Sequence, residues 1–441
     1  MDEFMNWLNF FTQTTQRKHQ FGRGINAKIS PNEEELFNNS YEAFENKNIL
    51  DAYEYFLKSL ENFTDDISNN NIILQREDKK LNFTIYQGCA KITGVITKDN
   101  LYAEVIIVKK DKASVALKRR ILERNYQFTY AYYFIDDEYI KLKLFHDNIT
   151  MSPQKIFYPL RELALNANFD KEYIQCEFKE ISLEDTEHVK EIDKNELKIK
   201  YEYFHNLVED LENKILTLPS NDNAGMQSFL YLTLFFKIDY LIVPKYDIYQ
   251  KITKKVQEYF GEEHATPEYK NDELKQYIAK LSKISIDEFS KNFYNAKYTF
   301  NPIEKTSDEE MNTFISDSLT KIRWYKNNRY NQIIPTIYKY IAFYILYNYG
   351  LHPTTRELLH TLVEIQNPEF FKALDYPVLY DEENNSFSKR LIISKVEDAI
   401  IPFQSKFKSL EPFGDKLNFS SLNEFSNSFY LELQNLNFEE I

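Results

Sequence analysis

Two stretches carry the spacing of a metal site. Glu202-x-x-His205 and Glu357-x-x-His360 each set a carboxylate and an imidazole three residues apart. On a helix that spacing puts both groups on one face, as in di-iron carboxylate bundles, whose ligands point inward. The apolar neighbours decide the orientation. Around the first pair the stripe runs through Leu197, Phe204, Val208 and Leu211, which leaves Glu202 and His205 beside or away from it. Around the second, Leu358, Leu362 and Ile365 mark the core side, with Glu357, His360 and Glu364 roughly opposite. Both pairs are expected on the surface, and no metal ligand is assigned.

Other chemistry is equally sparse. The chain has no G-x-x-x-x-G-K-[ST], no dinucleotide fingerprint, no H-E-x-x-H, no C-x-x-C and no G-x-S-x-G. Gly22-Arg23-Gly24 is two glycines in a basic loop with Arg17, Lys18 and Lys28, and 8 glycines overall leave little for phosphate cradles. Lys109, Lys110, Lys112, Lys118, Arg119 and Arg124 make a basic run and helix face, read as solvated. Arg323, Trp324, Lys326, Arg329 and Tyr330 interleave bases with aromatics as single-strand binders do, but here read as the outer half of a helix. No catalytic residue and no cofactor are assigned, so a non-enzyme is expected.

The elements that position these residues divide the chain in two. Phe4, Trp7, Leu8 and Phe11 predict a short amphipathic helix within 1–30, followed by the basic loop. Ser30-Pro31, with Glu33, Glu34 and Glu35, opens a helical region. Over 36–63, Leu36, Ser40, Ala43, Ala52, Phe56, Ser59 and Leu60 describe a helical hairpin like one tetratricopeptide unit, with small residues allowing close approach. From 72 the period changes to that of strands. Leu81, Phe83 and Ile85 alternate, and 90–97 and 101–108 add two more strands. A helix to Asn125 follows, then strands over 126–135 and 138–146 and a Ser152-Pro153 helix that Pro159 should kink or delay. Residues 171–181 suggest a last strand. Cys89 and Cys176 are then both on strands, as buried thiols rather than a disulfide framework.

Beyond a charged linker at 182–195 the pattern over 196–441 is helical nearly throughout. Helices are expected near 197–215, 226–241, 247–260, 271–295, 307–326, 331–349, 354–366, 388–410 and 421–436. The fold class is therefore an α+β amino-terminal domain over 31–181 (helix, three strands, helix, two strands, helix), then an irregular all-α domain. The net charge of −14 is concentrated late: 27 acids face 24 bases before residue 181, and 41 face 30 from there on. That balance argues against nucleic acid as a main partner. The most apolar stretches, 229–243 and 333–349, are interrupted by charges and fall short of the roughly 20 residues of a span. With no basic leader segment at the start, a cytoplasmic location is expected.

The run VALKRRILERNYQFTYAYYFIDDEYIKLKLF…ITMSPQKIFYPLRELA, a helix ending at Asn, a hairpin on acidic residues and a Ser-Pro-capped helix, resembles the type III secretion chaperone-like fold. That fold includes the YbjN family of small bacterial proteins, and the likeness covers residues 33–170, about a third of the chain. It implies a non-catalytic chaperone- or adaptor-like domain, often a dimer, that receives an extended client segment. Candidate contact residues are Tyr130, Tyr132 and Tyr133 on a strand, and Tyr53 and Phe56 on the helical pair. Two alternatives stand beside this reading. One is a metal-dependent hydrolase or di-metal bundle assembled from scattered acids and histidines. The other is a peripheral membrane component held by residues 2–15.

Overall fold

Short connections and alternating hydrophobicity in the first third build one antiparallel sheet; the rest folds as packed helices. The computed structural model describes residues 19–23, 31–61, 70–219, 221, 223–304, 306–407 and 409–439, without the side chains of 31–34. The helix expected over 2–15 lies outside them, as does the basic loop except Gly22 and Arg23. Helices α1 (Pro31–Glu45) and α2 (Ile49–Ser59) form the expected hairpin. Ser40 Oγ donates to the Ala52 carbonyl at 2.7 Å, a closeness that larger side chains would prevent.

The sheet is β1 (Ile72–Glu77), β2 (Lys80–Gln87), β3 (Ala90–Thr97), β4 (Asn100–Lys109), β5 (Tyr132–Ile135) and β6 (Tyr139–Asp147). Its order is β1-β2-β3-β4-β6-β5, with every pair antiparallel. Leu81, Phe83, Ile85, Ile92, Leu101, Ala103, Leu142 and Leu144 point to one face. They pack there with α2, α3 (Val115–Asn125) and α4 (Pro153–Glu177). Four strands, not three, precede α3. The additional β1 loses burial along its length toward the sheet edge, so its residues show no two-residue period.

α4 corrects two expectations. It continues through Pro159, and it occupies the segment read as a last strand. Ile156, Leu160, Leu163, Ala164, Ala167 and Ile174 keep one buried face on the sheet, and that packing outweighs the missing N–H. Cys176 therefore sits half-buried on a helix and Cys89 in the turn between β2 and β3, not on strands, and both are free thiols.

The helical part comprises α5 (Lys194–Leu216), α6 (Ala224–Lys237), α7 (Tyr246–Gly261), α8 (Pro267–Leu281), α9 (Ile286–Ser290), α10 (Asp308–Asn327), α11 (Ile334–Asn348), α12 (Pro353–Gln366), α13 (Pro368–Ala373), α14 (Lys389–Ile400) and α15 (Leu422–Gln434). A two-residue hairpin, β7 (Tyr380–Asp381) with β8 (Ser386–Phe387), precedes α14. The helix expected over 271–295 is interrupted where Ser285 accepts from the Glu288 N–H and caps α9. The helix expected over 388–410 stops at Ile400.

The two parts are joined by more than the chain. Phe300 inserts into the core of the sheet region, and Gln87 Oε1 accepts the N–H groups of Thr299 and Phe300 at 3.0 and 2.8 Å. Gly88, at φ +58, donates its N–H to the Lys297 carbonyl at 2.8 Å. A Cβ at Gly88 would meet the Asn168 side chain, so only glycine fits this turn. The segment expected as a charged linker is packed as well: Asp185 pairs with Lys91 at 2.7 Å, and His188 Nε2 lies 3.0 Å from the Gly88 carbonyl.

Candidate functional site

The sheet's second face carries the exposed aromatics. Side chains that share a register on this face include Tyr132 and Phe134 from β5, Lys141, Lys143 and Phe145 from β6, and Tyr102 and Glu104 from β4. Tyr132, Phe134 and Phe145 are 44%, 40% and 55% exposed, with Tyr130 at 41% just before β5. The charges among them are already matched. Lys141 reaches Glu104 and Asp136, each at 3.0 Å, and Lys143 lies 3.7 Å from Glu104 and 3.8 Å over the Phe134 ring. Burial opposes the Glu104 charge, but Tyr102, Lys141 and Lys143 outweigh it and hold its pKa below the ordinary carboxylate value. With its lysines neutralised locally, this face offers large flat apolar area rather than a field for phosphate.

The five residues singled out from the sequence part company here. Tyr130 and Tyr132 are accessible. Tyr53 and Phe56 have no accessible surface, and the Tyr53 hydroxyl donates to Asn148 Oδ1 at 2.6 Å. Tyr133 points to the core side, where its hydroxyl donates to Asp170 Oδ2 at 2.7 Å. These three are structural, because a hairpin packed on a sheet buries the aromatic stripe that a free helical repeat would present. Phe134 and Phe145 were missed, although the strict alternation of β5 with β6 places them beside Tyr132. Arg124, expected outward with Lys118 and Arg119, turns in and sets Nε 3.0 Å from Asp170 Oδ1.

β5 is an outer strand, and its approach and one of its outward N–H groups are capped. Glu162 accepts the N–H groups of Thr129, Tyr130 and Ala131 at 3.0, 2.8 and 2.9 Å, and Asn125 Oδ1 accepts that of Tyr133 at 2.6 Å. An incoming strand would have to displace these groups. The accessible apolar area lies on the aromatic face, not along the edge. The same bonds limit the strand expected over 126–135 to its last four residues.

The E-x-x-H pairs do not converge. Glu202 is exposed and lies 3.7 Å from Lys198, while His205 packs edge-on against Tyr201. His360 and Glu364 are buried, contrary to expectation, because partners cover α12 on all sides. Tyr240 Oη lies 2.8 Å from His360 Nδ1, Glu364 Oε1 3.0 Å from Nε2, and Lys395 on α14 2.9 Å from Glu364 Oε2. Burial disfavours the Glu364 charge, but His360 and Lys395 prevail and hold its pKa down at about 2. Among the described residues no group of three or more His, Cys, Asp and Glu side chains is placed to hold a metal ion. Nor is any helix among them long and apolar enough to cross a membrane.

Beside His360 the segment 19–23 is bound like a ligand. Phe21 is buried against Tyr240, His360 and Phe371. Arg23 Nε meets Asp239 Oδ1 at 2.7 Å, Nη2 donates to Thr253 at 2.9 Å, and the guanidinium lies 4.0 Å from the Tyr347 ring centroid. Burial works against this charge; Asp239, Tyr249 and Tyr347 outweigh it and raise the Arg23 pKa. Asp239 sits in a π-helical turn (Ile238–Ile242) that ends on Val243 at φ +55, a costly conformation for a β-branched residue. A second ionisable cluster lies between the two parts of the molecule, where Tyr294 donates to Glu172 at 2.6 Å near Cys89, Lys171 and Lys245. Burial raises the Glu172 pKa, lifts the Cys89 thiol to about 12 and lowers Lys245 to about 8. No protein-family model matches the chain, and no curated protein matches it.

Proposed function

We propose that this chain is a non-catalytic, adaptor- or chaperone-like factor that binds a partner polypeptide on the open face of its sheet. The observation carrying this reading is the gathering of Tyr132, Phe134 and Phe145 on a surface whose charges are internally paired. Aromatic side chains provide contact area at low conformational cost, and their clustering is characteristic of interface centres. The partner's docking segment presents apolar side chains to this face rather than a strand to the edge of β5. A protein partner also fits the acidic balance of the whole chain.

A photo-crosslinking amino acid at position 132 or 134, in the cells that make the protein, tests this directly. The expected result is one discrete protein adduct from either position, lost when Phe145→Asp is added. The same probe at Thr93, farther along the same face, should give none. Equal labelling from all three positions, or no adduct from 132 and 134, rules the reading out.

A further inference from the structure

We propose that a cleft between α5, α6 and α11 is a binding site for a small oxyanion, a molecule bearing a phosphate or carboxylate group. Each helix contributes one lysine and one polar companion to the lining: Asp210 and Lys214 from α5, Thr233 and Lys237 from α6, Thr336 and Lys339 from α11. Leucines of α5 and α6 form its apolar wall. Lys214 is matched, with Nζ 2.6 Å from Asp210 Oδ2. Lys237 and Lys339 are not: among the described residues neither makes a hydrogen bond or an ion pair, although Lys237 is only 6% exposed.

Lys237 is buried and Lys339 half-buried; a buried ammonium without a counter-ion is strongly disfavoured, and a second positive charge across the same cleft adds to the penalty. Both lysines respond as that predicts. Burial, with Lys339 and Lys214 nearby, drives Lys237 well below its ordinary pKa; burial, with Lys214, lowers Lys339 to about 8. The acids acting on them besides Asp210 come down to Glu382, exposed on the turn between β7 and β8. Thr336 lies in the first turn of α11, so the positive end of that helix adds to the field. This concentration of positive charge occurs in the more acidic part of the chain, 41 acids to 30 bases, where chance would favour the opposite sign. An oxyanion between Lys237 and Lys339 would supply the missing counter-charge to both. The small size of the cleft and its leucine wall suit one charged group on a compact molecule.

The test is thermal unfolding of the full chain at neutral pH with inorganic phosphate and, separately, succinate, each matched in ionic strength by sodium chloride. The expected result is a saturable rise in Tm with at least one of them. K237M and K339M should each weaken the fitted affinity by about tenfold or more, the scale of a hydrogen bond to a charged group. Response to phosphate alone assigns a phosphate-bearing ligand, and response to succinate alone a carboxylate. Should either variant fold poorly, NMR titration of the lysine Cε resonances in the unaltered protein gives an independent answer: the ligand should raise the titration midpoints of Lys237 and Lys339. A Tm change that only follows ionic strength, equal affinity in the methionine variants, or lysine midpoints unmoved by both anions would overturn the proposal.

Discussion

At the residue scale, the molecule places several charges out of water with partners. Arg23 and Asp239 form a buried pair in which the guanidinium also touches Tyr347 and Thr253. Removing one side of such a pair strands the other, so Asp239→Ala should lose about 3–5 kcal/mol in urea unfolding. A loss below about 1 kcal/mol would mean that water or another group takes over. Glu364 gives a pH signature. Its folded pKa, about 2, lies below the ordinary 4.5. The stabilisation is therefore complete above the ordinary value and disappears as pH falls through the folded one. Stability measured between neutral pH and pH 2 should fall more steeply in the unaltered chain than in Glu364→Gln. Lys339 has the opposite window. Its depressed pKa means that the unfolded chain holds the extra proton between about 8 and 10.5, so stability rises with pH across that interval. Lys339→Met should flatten that rise.

At the element scale, two devices hold the aromatic face in place. The first is the capped approach to β5, where one carboxylate, Glu162, serves three backbone N–H groups just before the strand. Glu162→Ala leaves Thr129, Tyr130 and Ala131 without those acceptors and loosens the approach to an outer strand. It should cost about 1–3 kcal/mol and promote concentration-dependent self-association, read by sedimentation velocity. Unchanged sedimentation would show that the edge is protected by shape alone. The second device is the segment around Phe300, which closes the sheet's core from the helical side. Both depend on side chains remote in sequence from the strand they serve, so neither shows in a local pattern. Helix starts, by contrast, are local: Ser114, Ser307 and Ser421 each accept an N–H three residues on, whereas Ser152, expected as a cap, opens α4 without a side-chain bond.

At the scale of the whole molecule, the two cores are coupled. Gln87, Gly88 and Asn71 of the sheet region bond to residues 297–300, and Arg161 donates to the carbonyls of Asn301 and Pro302. Phe300→Ala removes the apolar plug of that joint. It should cost about 3–5 kcal/mol and increase hydrogen exchange in β2 and β3 more than in α11 and α12. Uniform exchange across all four elements would instead indicate a single indivisible core. The aromatic face stands away from this joint. Tyr132→Asp with Phe145→Asp should therefore abolish crosslinking from a probe at position 134 while shifting Tm little, since exposed substitutions usually stay within about 0.5 kcal/mol.

The amino-acid sequence by itself determined the class of the fold: strand alternation at 81–85, 90–97 and 140–144, helical stripes thereafter, and the Ser and Pro residues that start helices. These are legible because they depend on neighbours within two to four positions. Of the proposed contact surface, Tyr132 was legible and Phe134 and Phe145 were not, because membership of one sheet face requires the pairing register. Tertiary structure alone decided which aromatics are covered, which side of α12 is wet, and which lysines lack an acid. Burial is a property of what packs from elsewhere in the chain; a hydrophobic stripe shows only that a helix has a dry side, and α12 has no wet one around His360 and Glu364.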